Sequence, residues 1–322
     1  MLVIVAPGQG AQAPGFLTPW LEIPGLADRM SAWSEIVGLD LIKYGTTAGA
    51  DEIRDTAVAQ PLLVAAGLAA AEALVRDLPA DGESPGGAAG RTIADIADVV
   101  AGHSVGEFTA AVLAGVLTPE QSLSLIRERG QAMAKAAAIT ATGMTAVLGG
   151  DEGEVLAALE RHGLTAANRN GAGQIVAGGT VEQLAALKAD PPARARLIPL
   201  SVAGAFHTAH MAPAVDQLRG AAATITPADP RTRLLQNADG AVVGSGKEFL
   251  ARLVDQVAGP VRWDSCMATM AELGVTAMIE LVPGGTLTGL ARRALRGVRT
   301  VALKTPDDLD AARDLIKEET RT

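Results

Sequence analysis

Gly102-His103-Ser104-Val105-Gly106 is a G-x-S-x-G pentapeptide. The apolar run that closes at Ala101 reads as a buried strand and 108–117 as an Ala/Leu/Val helix, so the serine falls on a sharp strand-to-helix turn. Such a turn exposes a hydroxyl at the top of a sheet, and its two glycines remove side chains that would clash where strand and helix pack. A helix starting at Val105 also turns unpaired N–H groups and a positive dipole end toward an oxyanion forming there. An N-cap serine in a plain tight connection fits the same residues, so the pattern alone leaves nucleophile and cap both open.

A serine nucleophile needs a base, and the chain offers four histidines: His103, His162, His207 and His210. His103 adjoins the serine, but in an elbow neighbouring side chains point to different sides. His207 follows an apolar stretch and Gly204 and is better placed; spacing carries the argument no further. His207 and His210 lack a nearby Asp, Glu or Cys to complete a metal site. Arg129 lies among Leu123, Leu125, Ile126 and Met133 at helical spacing, which allows an inward guanidinium, although spacing alone makes an exposed arginine with a packed stem the default. Arg127 is expected on the solvated face. The turn Pro7 to Gln12 can bring backbone N–H groups close to a bound group, although no dinucleotide fingerprint is completed.

These residues need a scaffold. Strand 2–6 opens the chain, and helices are predicted over 28–37 and 56–75, with Pro61 read as a first-turn residue. A Pro/Gly-rich surface loop over 78–92 leads to the elbow strand, and a helix over 120–138 follows the elbow helix. From 143 to about 201 the texture changes: strands over 144–148, 164–168, 174–177 and 195–199 alternate with helices over 152–161 and 181–188. That β-α-β-β-α-β order is ferredoxin-like, with the polar stretch 168–173 as its central hairpin. Helix 212–222, strand 234–235, helix 247–257, strand 277–281, loop 283–285 and a basic run through Arg292, Arg293, Arg296 and Arg299 resume and close the large domain.

Composition bounds the rest. The chain has 322 residues, 48% hydrophobic and only 2% aromatic, so the core is packed with small aliphatics. A net charge of -9 argues against nucleic acid as the main partner. The single cysteine, Cys266, has no internal disulfide partner, suits a reducing compartment and reads as a small buried hydrophobe. No basic targeting region precedes the first strand, and the longest apolar run, 62–71, is about half of a membrane span. A cytoplasmic location is expected.

Taken in order, a set of segments carries a resemblance: Pro7-Gly-Gln-Gly-Ala-Gln12, Gln60-Pro61, Gly102 to Glu107, Arg129-Gly-Gln-Ala-Met133, Gly173-Gln-Ile-Val176, Ala205-Phe-His-Thr208, Gln256 with Pro260-Val-Arg-Trp263, and Pro283-Gly284. Over essentially its whole length the chain resembles the malonyl-CoA:acyl carrier protein transacylases and the related acyltransferase domains of fatty acid and polyketide synthases. The resemblance implies an α/β-hydrolase-like core with a mainly parallel sheet, 1–142 and 202–322, and an inserted ferredoxin-like subdomain, 143–201. It implies Ser104 as acyl-accepting nucleophile and His207 as general base and acid, oriented by the backbone carbonyl of Gln256 and not by a carboxylate. The backbone N–H groups of Val105 and Gln12 would form the oxyanion hole. Arg129 would hold the malonyl carboxylate through two parallel bonds, with Phe206, Asn170 and Gln60 also at the substrate. Phe206 would crowd a methyl on the extender carbon.

The implied reaction passes malonyl from malonyl-CoA to Ser104 and then to the phosphopantetheine thiol of an acyl carrier protein, for fatty acid or polyketide synthesis. It implies no metal and no cofactor: malonyl-CoA is a substrate and the phosphopantetheine belongs to the carrier. A monomer with no membrane or nucleic-acid partner is expected. A serine esterase is the enzymatic alternative, and a carrier-binding scaffold the non-catalytic one. Arg292, Arg293 and Arg296 fit either carrier docking or the solvated face of a terminal helix. Val282 stands where the family usually has glycine, and His210 receives no role.

Overall fold

A computed structural model describes residues 1–76, 78 and 91–319. The predicted loop over 78–92 therefore lies, apart from Leu78, Arg91 and Thr92, outside the described residues.

Two sheets organise the chain. The larger has six strands in the order Arg299–Ala302, Ala277–Glu280, Leu2–Ala6, Val99–Gly102, Arg233–Leu235 and Val242–Val243, with every pair parallel except the last. Strand Leu2–Ala6 is buried throughout, as expected for a sheet covered on both faces. Leu2, Ile4 and Ala6, with Val100 of the next strand, pack on one layer of helices; Val3, Val5, Val99 and Ala101 pack on the other, against Trp263, Met267, Met270 and Leu290. The elbow strand is shorter than its apolar run suggests. Residues Ile93–Asp95 form a 3-10 turn, capped by the Asp95 carboxylate on the Thr92 amide, and pairing begins only at Val99.

The second sheet runs Ala195–Pro199, Thr142–Gly149, Gln174–Thr180, Thr165–Gly171, antiparallel and crossed by helices Glu152–Arg161 and Val181–Ala189. This is the ferredoxin-like order expected from the sequence. Its core holds Val147, Val155, Leu159, Ile175 and Leu187. Two features differ. Strand Thr165–Gly171 absorbs most of the predicted polar hairpin, leaving Ala172 and Gly173, both at positive φ, as the turn. A fifth strand, Val261–Arg262, reaches in from the large domain and pairs in parallel with Asn168 and Arg169.

Helix Thr56–Arg76 is long and apolar enough to cross a membrane by length, twice the run noted in the sequence, yet it lies buried against neighbouring helices as a core helix. Pro61 is not in its first turn but is its sixth residue. The missing N–H leaves the Ala57 carbonyl without its helical donor, and Arg127 Nη1 donates to that oxygen at 3.3 Å. Arg127 is thus half-buried and engaged rather than solvated. A Cβ on Gly130 would lie 3.0 Å from the Thr56 carbonyl oxygen, which shows how closely helix Pro119–Ala137 crosses this point.

The C-terminal end also departs from expectation. Arg292 and Arg293 lie on helix Thr286–Ala294, Arg296 follows it, and Arg299 begins an edge strand and pairs with Glu318 and Glu319 of the last helix, Asp308–Glu319. Val282, in the usual glycine position, is 1% exposed and packs in the core.

Candidate active site

Ser104 stands where strand Val99–Gly102 turns into helix Gly106–Leu113, with φ 54°. The turn is possible because the backbones touch: a Cβ on Gly102 would fall 2.0 Å from the Gly106 carbonyl carbon, and one on Gly106 would fall 2.2 Å from the Ala6 oxygen. The Ser104 amide donates to Asn237 Oδ1 at 2.7 Å. Its hydroxyl lies 2.7 Å from His207 Nε2.

His207 Nδ1 lies 2.9 Å from the backbone oxygen of Gln256, so Nδ1 carries the proton and Nε2 is left as the acceptor facing the serine. Burial, followed by the Arg129 charge, pushes His207 down to about 3, against the support of the Gln256 carbonyl. The imidazole is therefore neutral at neutral pH, the state a general base requires.

Arg129, 1% exposed, points inward, which corrects the exposed arginine that spacing alone makes the default. Its Nη2 donates to Gln256 Oε1 at 3.0 Å and reaches the Ser104 hydroxyl at 3.3 Å, while Nε has no partner among the described residues. Burial lowers Arg129 to about 10, and the buried carboxylate of Glu107 acts in the opposite sense. Burial pushes Glu107 up from the usual carboxylate range, opposed by the Asn237 amide, Arg129 and Gln256. Its Oε2 accepts from Gln256 Nε2 at 2.5 Å and its Oε1 from the Asn237 amide at 2.6 Å.

A cavity of about 240 Å³ opens over Ser104 and His207, bordered by Gln60, Asn170, Phe206 and the turn Gly8 to Ala11, with an apolar wall that includes Met133, Met144 and Val176. Gln60 donates to Met133 Sδ at 3.4 Å and keeps an unpartnered Oε1. Asn170 Oδ1 sits 2.9 Å from His103 Nε2, which ties His103 to the small sheet and away from the serine. Gln12 braces the opening turn, its Oε1 accepting from the Gly10 amide and its Nε2 donating to the Ile53 carbonyl. Among the described residues, the backbone amides of Gln12 and Val105 engage no acceptor, leaving both available. The cavity is roofed by Thr286, Leu287 and Leu290, on a helix whose start is held by buried Glu280 through the Gly285, Leu287 and Thr288 amides.

His210 is half-exposed, and no metal-ligating cluster occurs among the described residues. Cys266 is fully buried, and burial pushes its thiol up, so it is a packing group here. Two residues escaped the sequence reading, Glu107 as a functional position and Asn237 altogether. The one available signal for Asn237 is its place just beyond a parallel strand next to the elbow strand, at the carboxyl edge where α/β sheets gather their sites.

The sequence pattern described as Acyl transferase domain matches residues 3–312. The malonyl CoA-acyl carrier protein transacylase of Mycobacterium tuberculosis H37Rv is 51% identical over 98% of this chain and 100% of its own length; that of Escherichia coli K12 is 31% identical over 97% and 98%. The crystal structure of the M. tuberculosis enzyme superposes with a TM-score of 0.90 over 97% of this chain and 99% of that one. A type II polyketide synthase acyl-carrier protein in complex with its malonyl-transacylase includes a chain that matches at 28% identity with a TM-score of 0.86, over 98% of this chain and 99% of that one. The chain belongs to the acyl transferase family, among the malonyl CoA-acyl carrier protein transacylases.

Proposed function

We propose that this acyltransferase moves a malonyl group from malonyl-CoA to the phosphopantetheine thiol of an acyl carrier protein through a malonyl ester on Ser104. The observation that carries the reading is a single constellation: Ser104 Oγ is 2.7 Å from a neutral His207 and 3.3 Å from the buried Arg129 guanidinium. His207 Nε2 takes the Ser104 proton as Oγ attacks the thioester carbonyl, and the Gln256 carbonyl stabilises the imidazolium that forms. The free Val105 and Gln12 amides serve the tetrahedral oxyanion. Collapse expels CoA as its thiol, protonated by His207; the carrier thiol then attacks the ester by the same steps in reverse.

Arg129 supplies the acyl preference. Its unpartnered Nε, and the Nη2 hydrogen that now reaches the Ser104 hydroxyl, are the donors for a carboxylate beside the serine, where a fixed planar fork binds better than a lysine point charge. Carrier docking is read onto the roof helix, which faces the cavity with Leu287 and Leu290 and solvent with Arg292 and Arg293. An acidic carrier would meet local positive charge there despite the net charge of -9.

Intact-mass analysis after mixing with malonyl-CoA tests the reading. A malonyl adduct is expected on the wild type and absent from Ser104→Ala; an unmodified wild type, or free malonate released faster than transfer to the carrier thiol, overturns it.

A further inference from the structure

Behind the serine, hydrogen-bond polarity runs one way from Arg129 to Glu107. Arg129 Nη2 donates to Gln256 Oε1 at 3.0 Å, and Gln256 Nε2 donates to Glu107 Oε2 at 2.5 Å and to Asn237 Oδ1 at 3.1 Å. The Asn237 amide donates to the other Glu107 oxygen, and Asn237 Nδ2 donates to the Gly102 carbonyl, which fixes the orientation of that side chain as well. Each of these residues is at most 5% exposed, so no water substitutes for a lost partner.

An amide can be turned over; a carboxylate cannot, because both of its ends accept. Gln256 keeps its oxygen toward Arg129 because the two groups at its other end, Glu107 Oε2 and Asn237 Oδ1, are both acceptors. Both Glu107 oxygens accept from N–H groups, which favours the ionised carboxylate against the upward push of burial, and that charge faces the buried Arg129 guanidinium.

We infer that Glu107 is a positioning residue for acyl selectivity: acting through the Gln256 side chain, it aims the Arg129 guanidinium at the malonyl carboxylate. This rests on the carboxylate-clamp reading above. A glutamine at 107 brings one acceptor and one donor to a place where two donors arrive. The Asn237 donor is backbone and stays, so the mismatch falls on Gln256, whose amide inverts and sets N–H against the guanidinium. Gln256 thereby has two separable roles. Its backbone oxygen holds His207, which any side chain at 256 preserves, and its side chain holds Arg129.

The test compares initial rates of Ser104 acylation by malonyl-CoA and acetyl-CoA, by intact mass, in wild type, R129A, E107Q, Q256A and the double variant E107Q/Q256A. The expected result is a malonyl-to-acetyl ratio lowered about tenfold or more in each single variant, from loss of one buried charge-assisted bond. The double variant should fall no further than the worse single one, because both cut the same link. If R129A leaves the ratio unchanged, the clamp itself fails, and this inference with it. A lowered ratio in R129A, with both rates falling equally in E107Q or with additive effects in the double variant, overturns the role of Glu107 alone. Should E107Q not fold, Q256A reads the same link, and an unchanged ratio there overturns the inference.

Discussion

Ser104 and His207, 103 positions apart in the chain and 2.7 Å apart in space, are both held in left-handed backbone, at φ 54° and 61°. Neither is a glycine, and each such residue costs roughly 1–2 kcal/mol. Surrounding bonds fix both: the Ser104 amide on Asn237 and the His103 amide on the Ala6 carbonyl for one, the Gln256 carbonyl on the imidazole for the other. The strained backbone aims two side chains at each other from separate segments.

Strain at Ser104 has a measurable consequence. Replacement by alanine keeps the left-handed penalty, whereas replacement by glycine removes it and adds a smaller entropic cost in the unfolded chain. Ser104→Gly should be more stable than Ser104→Ala by about 1 kcal/mol in urea unfolding, both being inactive. Equal midpoints would show that the elbow carries no strain.

The glycine beside the turn gives a harsher result. A Cβ on Gly106 meets the Ala6 carbonyl oxygen at 2.2 Å, backbone against backbone, so the strand and the helix must part. Gly106→Ala should cost about 3 kcal/mol or more and abolish malonyl labelling. Gly220, exposed on helix Ala212–Ala222 with nothing near its missing Cβ, is the control: Gly220→Ala should gain roughly 0.5–1 kcal/mol. Similar melting temperatures for the two variants would refute the close-approach argument.

Local pattern carried much of this architecture. The G-x-S-x-G turn, the βαββαβ order of the small sheet and the all-buried first strand are written in periodicity and in glycine spacing. What escaped depends on contacts remote in sequence. Arg129 is inward because Glu107 and Gln256 meet it, and helical spacing records neither. Asn237 joins the Ser104 amide, the Gly102 carbonyl and, through its own carbonyl, the Arg262 amide on the second sheet's added strand; no motif announces those bonds. Pro61 was misplaced because Arg127, some 70 residues on, replaces the missing donor at Ala57.

Buried His207 should leave a mark on stability against pH. Unfolded, it takes a proton near 6.5; folded, only near 3. Between these values the unfolded state binds more protons, so this group's contribution to stability falls as pH falls. His207→Asn does not titrate. The stability of the wild type relative to that variant should therefore drop below pH 6.5, by up to about 1.4 kcal/mol per pH unit. Glu107, raised by burial, works in the opposite sense over the same pH range but is common to both proteins, so it drops out of the comparison. Urea unfolding at pH 7.5, 6.5 and 5.5 measures the difference, and parallel profiles would contradict a neutral buried imidazole.

Phe206 sits beside His207, 6% exposed, with its ring on the cavity wall. A methyl branch on the extender carbon needs space next to the serine ester, and the closed packing around a phenyl ring yields little. Phe206→Ala removes the ring where the cavity already opens, so part of the usual cost of about 3–5 kcal/mol for a buried Phe→Ala change is spared. The variant should form a methylmalonyl adduct on Ser104 at a rate approaching its own malonyl rate, while the wild type strongly prefers malonyl. Competition between the two thioesters, read as the ratio of adduct masses, decides the matter. A variant that still loads malonyl but excludes methylmalonyl would place the steric barrier elsewhere, on the apolar wall contributed by Met133, Met144 and Val176.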